Sequence, residues 1–315
     1  MDNISPDISI VVPVFNRGMV VTATLDSIAA QTERPLALII VDNNSTDNSL
    51  AVVTEWAKLH DSPDFAVTVL SEPIPGAAAA RNKGFESVTT PYVMFFDSDD
   101  LMSPNHVKDF ADTFRADPLL DIVGRDIISL ELDGSKKRHP FADSDMMFRH
   151  SFNAILSTQR YAVKSSFLRK AGCWNPDALA WNDFELGFRM LVNHPKCKKI
   201  DNNVSVTMHR LAESITGTSY SATPQKWEHS LNLIEQTLTA AGYQAGAIEL
   251  RRIVLAALYS REGSPQGARL LGEVTGREKN AVKNIIYRLA YHYTRKGGRG
   301  IHILLRPILK FFKDV

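Results

Sequence analysis

The chain has 315 residues, of which 44% are hydrophobic, enough for one large domain with a sizeable core and a smaller additional region. Lys and Arg number 36 against 35 Asp and Glu, so the net charge of +1 gives no global field of the kind that attracts nucleic acid. The acidic start from Met1 to Asp7 lacks the pattern of a secretory signal, and no apolar run approaches the roughly 18 residues of a membrane span. The two cysteines, Cys173 and Cys197, have no metal-binding spacing and fit a reducing compartment, so we expect a cytoplasmic protein.

The first hundred residues alternate between buried strands and helices. Continuous apolar runs rich in β-branched residues predict strands at Ile8–Val14, Ala37–Val41, Ala66–Leu70 and Tyr92–Phe96. Apolar residues at helical spacing predict a helix after each of the first three strands, the last one opened by Gly76. This alternation predicts an α/β fold with a mainly parallel sheet flanked by helices.

After residue 100 the pattern is less regular, and from about Gln225 helical spacing dominates. We therefore expect a domain of residues 1–222, with halves of about 1–100 and 101–222, followed by a helical region of residues 223–315. The second half is predicted to contain a helix at Asn105–Arg115, one extended strand at Ile122–Leu132, a solvated basic loop at Lys136–His139, a helix at Asp183–Val192 and a strand at Val204–Met208.

The last segment, from Thr294 to Val315, has the composition of an interfacial helix. Six basic residues against Asp314 alone are interleaved with aliphatic residues and two phenylalanines. The pattern therefore predicts a peripheral contact of residues 294–315 with the inner face of the cytoplasmic membrane. Because Pro307 interferes with helical hydrogen bonding, two short helices are expected as readily as one. A helix packed on the protein with a solvated basic face is the alternative.

Polar clusters follow the predicted strands. Asn16-Arg17 follows the first strand, Asp42–Asp47 the second and Asp97–Asp100 the fourth, while Arg81-Asn82 lies on the helix after the third. Because parallel strands end at one edge of a sheet, these clusters can converge on one ligand. Closely packed carboxylates repel one another unless a cation neutralises them, and oxygen ligands suit Mg²⁺ or Mn²⁺. A solvated acidic turn is the alternative for the last cluster taken alone.

The ordered motifs VPVFNR, VDNNSTDNS, AARNKG and FFDSDD resemble the nucleotide-sugar-binding half of family 2 glycosyltransferases. The resemblance continues in Trp181–Arg189 and in Met208–Arg210, and it covers roughly residues 7–220. It implies the Rossmann-like fold called GT-A and an inverting glycosyltransferase that uses Mn²⁺ or Mg²⁺. The implied reaction moves a sugar from a UDP-sugar to a hydroxyl of a glycan or lipid-linked acceptor, in polysaccharide or cell-envelope biosynthesis.

The chemistry of the donor agrees with this resemblance. A uridine-type base needs an aromatic face and a carboxylate for its ring N–H, which Phe15 and Asp42 can supply. A turn-starting role for Asp42 and a solvated helix face for Arg81 and Asn82 are the structural alternatives. The resemblance implies donor contacts at Pro13, Val14, Phe15, Asn16, Asp42, Arg81, Asn82, Asp97 and Ser98.

The resemblance also implies a metal site. Asp99 is expected to bind the cation, which bridges the two phosphates and stabilises the leaving diphosphate. Asp97 is expected to contact the ribose or the water molecules of the metal, and His209 to complete the site. A structural or surface role is the alternative for His209.

The motif Trp181–Arg189 supplies the expected general base, Asp183, because sugar transfer to a hydroxyl requires removal of its proton. The family usually has Glu-Asp here, whereas this chain has Asn182 before Asp183, which leaves the acceptor contacts open. Asp100, Trp181 and Asn182 are the candidate acceptor residues. The alternatives are capping of a turn for Asp100, helix capping for Asp183 and core packing for Trp181.

Two other functions compete with sugar transfer. A nucleotidyltransferase of related architecture usually has a Gly-rich loop after the first strand, where this chain has FNRGMV with one glycine. A non-catalytic protein that binds nucleotide sugars would not need Asp97, Asp99, Asp183 and His209 together. Neither the sugar, the acceptor nor the oligomeric state follows from the sequence.

Overall fold

The computed structural model describes residues 7–201, 204–209, 219–244 and 246–311. The chain divides into two compact units. Unit 1 comprises Met1–Met146, Ile155–Pro176 and Asn193–Ala212, and unit 2 comprises Met147–Ala154, Asp177–Val192 and Glu213–Val315. Two short segments before residue 193 thus belong to the same unit as the C-terminal helices. The functional division at residue 222 remains a prediction.

The strands belong to unit 1. The buried apolar runs form its centre, since β-branched residues fit a pleated surface covered on both faces. In chain order the strands are β1 (Ile8–Val14), β2 (Leu36–Asp42), β3 (Phe65–Ser71), β4 (Tyr92–Phe95), β5 (Leu101–Met102), β6 (Ile122–Gly124), β7 (Ile127–Leu130), β8 (Lys136–His139), β9 (Tyr161–Lys164), β10 (Cys197–Lys199) and β11 (Val206–His209).

The helices flank the sheet in unit 1 and build unit 2. Their buried faces follow the helical spacing of the apolar residues. In chain order they are α1 (Val21–Ala29), α2 (Ser49–His60), α3 (Ala77–Glu86), α4 (His106–Ala116), α5 (Met146–Asn153), α6 (Ser165–Ala171), α7 (Asn182–Leu191), α8 (Pro224–Ala240), α9 (Gly246–Arg261), α10 (Gln266–Arg277), α11 (Ala281–Arg295) and α12 (Ile301–Phe311).

A seven-stranded sheet with the order β10-β6-β9-β4-β1-β2-β3 forms the centre of unit 1. Strand β1 is parallel to β2 and β4, and β2 is parallel to β3, whereas β9 is antiparallel to β4 and β6. The predicted mainly parallel α/β sheet is therefore confirmed. Val14 pairs with Asp42 in register, so β1 and β2 end together. A second sheet of unit 1 has the order β5-β11-β7-β8.

Two predicted elements between residues 122 and 139 are wrong. The extended strand at Ile122–Leu132 breaks at Arg125 and Asp126 into β6 and β7, which lie in different sheets. Both residues are buried, and the break brings the Arg125 guanidinium within hydrogen-bond distance of Ser205 Oγ, at 2.5 Å. The basic loop at Lys136–His139 is instead the edge strand β8, whose backbone pairs with β7 while its lysines are exposed.

Unit 2 packs its helices around one apolar core. Phe184 and Phe188 of α7 lie in this core with Trp227, Ile234 and other residues of the C-terminal helices. Pro307 lies inside α12, so of the two forms expected around this proline the structure has the single helix. No helix in the described part of the chain is long and apolar enough to cross a membrane.

Candidate functional site

Asp97 follows β4, and two side chains hold its carboxylate. Arg81 of α3 donates from Nη2 to Asp97 Oδ1 at 2.7 Å, and Gln159 donates from Nε2 to Oδ2 at 2.5 Å. The guanidinium of Arg81 is buried and lies 4.3 Å from the centre of the Trp174 ring. This stacking fixes the arginine, so Asp97 has a defined position at the edge of the sheet.

Asn82 is tied to the backbone. Its Nδ2 donates to the Trp174 carbonyl at 2.8 Å, and its Oδ1 accepts from the Trp174 N–H at 3.0 Å. The predicted role of Asn82 in donor binding remains a prediction, and the observed contacts are structural.

Asp100 is buried and shares Gln159 with Asp97. Gln159 Nε2 lies 2.5 Å from Asp100 Oδ2, and the His209 backbone N–H donates to Oδ1 at 2.9 Å. Burial raises the pKa of Asp100 well above its ordinary value, and the charges of Asp97 and Asp99 raise it further. The three carboxylates of this acidic cluster therefore interact unfavourably when all are ionised.

Asp99 is half-buried. Its Oδ2 lies 3.5 Å from Nε of Arg17, so the two side chains form an ion pair. Burial raises the pKa of Asp99, Asp97 raises it further, and Arg17 opposes them. Within the described ranges, no group of three or more His, Cys, Asp or Glu residues is arranged to hold a metal ion. The carboxylates nevertheless fit a hard divalent cation that takes one or two protein ligands and completes its coordination with phosphate oxygens and water.

The loops after β1 and β2 hold each other through polar contacts. Asn16 has a left-handed backbone, with φ at 51°, and its Oδ1 accepts from the Thr46 N–H at 2.8 Å. The Arg17 N–H donates to Ser49 Oγ at 2.8 Å, which orients Arg17. Asn16 is thus used to join the two loops, and its contact with a donor remains a prediction.

Asp42 lies at the end of β2 and is only 3% exposed. Its Oδ2 accepts from the Ser45 N–H at 3.2 Å. Its Oδ1 is buried and has no hydrogen-bond partner among the residues that the structure describes. A buried carboxylate oxygen without a partner is unfavourable unless a ligand supplies a donor.

The other predicted donor residues differ in exposure. Phe15, directly after β1, is 54% exposed, so its ring is accessible to a ligand. Val14 and Ser98 are buried, and Pro13 is half-buried. The Val14 carbonyl accepts from the Asn43 N–H at 2.8 Å, which joins the β1 and β2 loops again.

Asp183, Asn182 and Trp181 lie in unit 2, at the start of α7. Asp183 is half-buried, and its Oδ1 accepts from the Phe184 N–H at 2.8 Å. Trp181 has a left-handed backbone and lies 4.8 Å from Trp227 between ring centres. Trp181 is therefore part of an aromatic cluster, while its contact with an acceptor remains a prediction.

Gln159 is the main site residue that the sequence did not predict. It lies in the short 3-10 helix Thr158–Arg160, about sixty residues from the carboxylates that it binds. No local motif identifies Gln159, because a glutamine just before a strand is common and by itself indicates no function. Arg17 was visible as part of the VPVFNR motif, but its pairing with Asp99 depends on the fold.

We expect Gln159→Met to lower the free energy of unfolding by about 1.5–3 kcal/mol, the usual value of a hydrogen bond to a charged group. Because the pKa of Asp100 is raised in the native state, the folded protein keeps this proton to higher pH than the unfolded chain. The contribution of Asp100 to the free energy of unfolding is therefore greatest at low pH, and it falls as pH rises through the pKa of Asp100 in the folded protein. The loss caused by Gln159→Met should accordingly shrink at low pH, which denaturant titrations at several pH values would measure.

The control for this prediction is a double-mutant cycle. Asp100→Asn should destabilise the Gln159→Met protein less than it destabilises the unaltered protein, since it removes the charge left without its donor. Strictly additive losses would contradict the assigned contact.

The chain is similar to known proteins in sequence and in fold. The family model described as "Glycosyl transferase family 2" matches residues 9–174. The "Uncharacterized glycosyltransferase YibD" of Escherichia coli (strain K12) is 34% identical over 104 residues, which is 33% of this chain and 29% of that relative. The chain therefore aligns with less than a third of the length of this relative.

Solved structures share the fold over most of the chain. TarS 1–349 of S. aureus, in complex with UDP-GlcNAc, has a TM-score of 0.66 and 16% identity, and the match covers 96% of this chain and 92% of that one. The mannosyltransferase PcManGT from Pyrobaculum calidifontis, in complex with GDP-Man and Mn²⁺, has a TM-score of 0.55 and 18% identity over 93% and 88%. The predicted GT-A type of fold is thereby confirmed.

Proposed function

The chain belongs to glycosyl transferase family 2, and from this premise we propose that it is an inverting transferase that moves a sugar from a UDP-sugar to an acceptor hydroxyl. The acceptor is a glycan or a lipid-linked glycan. The observation that carries the proposal is the buried Asp42 Oδ1, which has no hydrogen-bond partner in the described part of the chain. It lies at the strand edge where this class of sheet binds its ligand, and it suits the N–H of a uracil ring.

The donor binds along the edge formed by β1, β2 and β4. The exposed ring of Phe15 stacks on the base, while Asp42 accepts its ring N–H. Asp97, held by Arg81 and Gln159, receives the ribose. UDP-GlcNAc is the first donor to test, because the fold neighbour TarS has been solved with it.

A divalent cation, Mn²⁺ or Mg²⁺, is held by Asp99 with the help of Asp97 and His209. Held there, the cation would supply Lewis-acid stabilisation of the charge that develops on the leaving diphosphate. The raised pKa of Asp99 supports this assignment, because its cause is burial beside Asp97, a conflict that a cation relieves.

Asp183 acts as the general base. Its carboxylate takes the proton of the acceptor hydroxyl as that oxygen forms a bond to the anomeric carbon and the bond to the diphosphate breaks. One direct displacement of this kind inverts the anomeric configuration. Trp181, Asn182 and Asp100 contact the acceptor in this proposal.

The test is calorimetric titration with UDP and with CDP in the presence of Mn²⁺. Asp42→Asn should weaken UDP binding by about 10- to 100-fold, the loss of one charge-assisted hydrogen bond. Cytosine carries an acceptor at the ring position where uracil carries a donor, so CDP should bind poorly to the unaltered protein. The variant should narrow this preference, because an asparagine amide can donate to cytosine.

Asp64→Asn is the matched control, since Asp64 precedes β3 at the opposite end of the strands and its side chain is 67% exposed. It should bind UDP like the unaltered protein. An unchanged UDP affinity in Asp42→Asn would remove the main support for the proposed donor site.

A further inference from the structure

Helix α11 exposes a row of large apolar side chains, here called the α11 stripe: Val282, Ile285, Leu289 and Tyr293. They are 57%, 59%, 64% and 39% exposed. At the helical repeat they fall within an arc of about 80°. The opposite face of the helix is buried in unit 2, through Tyr287, Ala290, Tyr291 and Thr294. The described residues of unit 2 therefore leave the stripe exposed, and a contiguous apolar surface of this kind marks an interaction site.

The chain around the stripe is basic. Residues 279–313 contain nine Lys and Arg and no Asp or Glu. The other 280 residues then carry 27 Lys and Arg against 35 Asp and Glu, so the near-neutral total hides a strong asymmetry. Arg288, Arg295 and Lys296 are exposed on α11 or at its end. An apolar row with basic residues around it is complementary to the surface of an anionic bilayer.

Tyr293 ends the stripe in a way that suits a lipid interface. A side chain at Gly298 would lie 2.4 Å from the Tyr293 ring, so the ring covers the loop after α11 closely. The tyrosine hydroxyl donates to the Arg299 carbonyl at 3.0 Å. An aromatic ring with its polar tip satisfied is suited to the headgroup region.

We propose that the α11 stripe and its basic surroundings form a docking surface for anionic lipid. The charge decides between this occupant and a second copy of the chain. Two copies joined stripe to stripe would bring the acid-free segments together, and their like charges would repel. The inference goes beyond sugar transfer and does not rest on it, since lipid binding is measured without a nucleotide. It also differs from the predicted tail contact, because all four residues of the stripe precede residue 294.

The experiment is co-sedimentation of the full chain with vesicles of phosphatidylcholine, with and without phosphatidylglycerol. The unaltered protein should pellet with anionic vesicles, and salt should weaken this binding. Ile285→Ser/Leu289→Ser should lower the vesicle partition at least about tenfold, because two exposed apolar side chains no longer insert. Arg295→Gln/Lys296→Gln should lower it about fivefold for each charge at low salt.

Two double variants on other surfaces are the controls. Leu59→Ser/Leu119→Ser removes two exposed leucines of unit 1, and Lys136→Gln/Lys137→Gln removes two exposed charges of β8. Both should pellet like the unaltered protein. The proposal is overturned if the stripe variant pellets as well as the leucine control, or if anionic vesicles recruit nothing. It is equally overturned if light scattering shows a dimer that Ile285→Ser/Leu289→Ser dissociates.

Discussion

Asp183→Asn is expected to lower kcat for sugar transfer by roughly 10²- to 10⁴-fold, the usual contribution of a general base. An asparagine amide keeps the shape of the side chain and can still accept from the Phe184 N–H. It cannot take the proton of the acceptor hydroxyl, so the chemical step should fail while α7 stays intact. Steady-state rates with a saturating UDP-sugar would measure the loss.

The affinity for the UDP-sugar distinguishes a general base at Asp183 from a residue that binds the donor. The dissociation constant of the UDP-sugar should be unchanged in Asp183→Asn, because the base acts on the acceptor. Glu273→Gln is the control in unit 2, since Glu273 pairs with Arg269 on the surface. The product should have the inverted anomeric configuration. Weaker donor binding with kcat intact would assign Asp183 to the wrong substrate.

Asp99→Asn is expected to remove most of the activity, by about 10²-fold or more, because a bound cation is worth several kcal/mol of transition-state stabilisation. Chelation by EDTA should abolish transfer by the unaltered protein, and Mn²⁺ or Mg²⁺ should restore it. The substitution also removes a charge that burial and Asp97 disfavour, so thermal stability should not fall. Rates across a Mn²⁺ titration, together with thermal unfolding, would measure both effects.

The thermal unfolding measurement excludes the possibility that Asp99→Asn is inactive because it is unfolded. An inactive variant that unfolds at or above the temperature of the unaltered protein has lost a ligand and not its fold. Full activity in Asp99→Asn, or full activity in EDTA, would remove the metal from the account.

The sheet was predictable because its signal is local. Each of β1, β2 and β4 is a continuous apolar run, and the polar residues after each run mark the strand ends. Parallel pairing then places Asp42 and Asp97 at the same edge, without any knowledge of distant contacts.

The support for the carboxylates was not predictable, because it comes from distant residues. Gln159 lies in the irregular region between β8 and β9, where no periodicity fixes the chain. The break between β6 and β7 has the same origin, since Arg125 and Asp126 contact Ser205 and Phe141, which lie elsewhere in the chain. The Arg125–Ser205 contact spans eighty residues, so the sequence near either residue does not predict it.

The sequence also did not predict which segments of the chain form unit 2. Phe148 of α5 and Phe184 of α7 are apolar enough for any core, and only the fold shows that they pack with Trp227 and the C-terminal helices. The exposed apolar row on α11 was not predicted either, because its residues have the same spacing as a buried helix face. Val282, Ile285 and Leu289 match helical spacing, and spacing alone does not show which apolar row is buried.

The central claim is that the chain is an enzyme that transfers sugar from a uridine nucleotide, and release of UDP from UDP-GlcNAc tests it most directly. With Mn²⁺ and a glycan acceptor, UDP should appear, and EDTA, Asp99→Asn and Asp183→Asn should each suppress it. A chain that binds nucleotide sugars tightly through Asp42, yet releases no UDP from any of them with either metal, would be a binding protein, and that result would contradict the account.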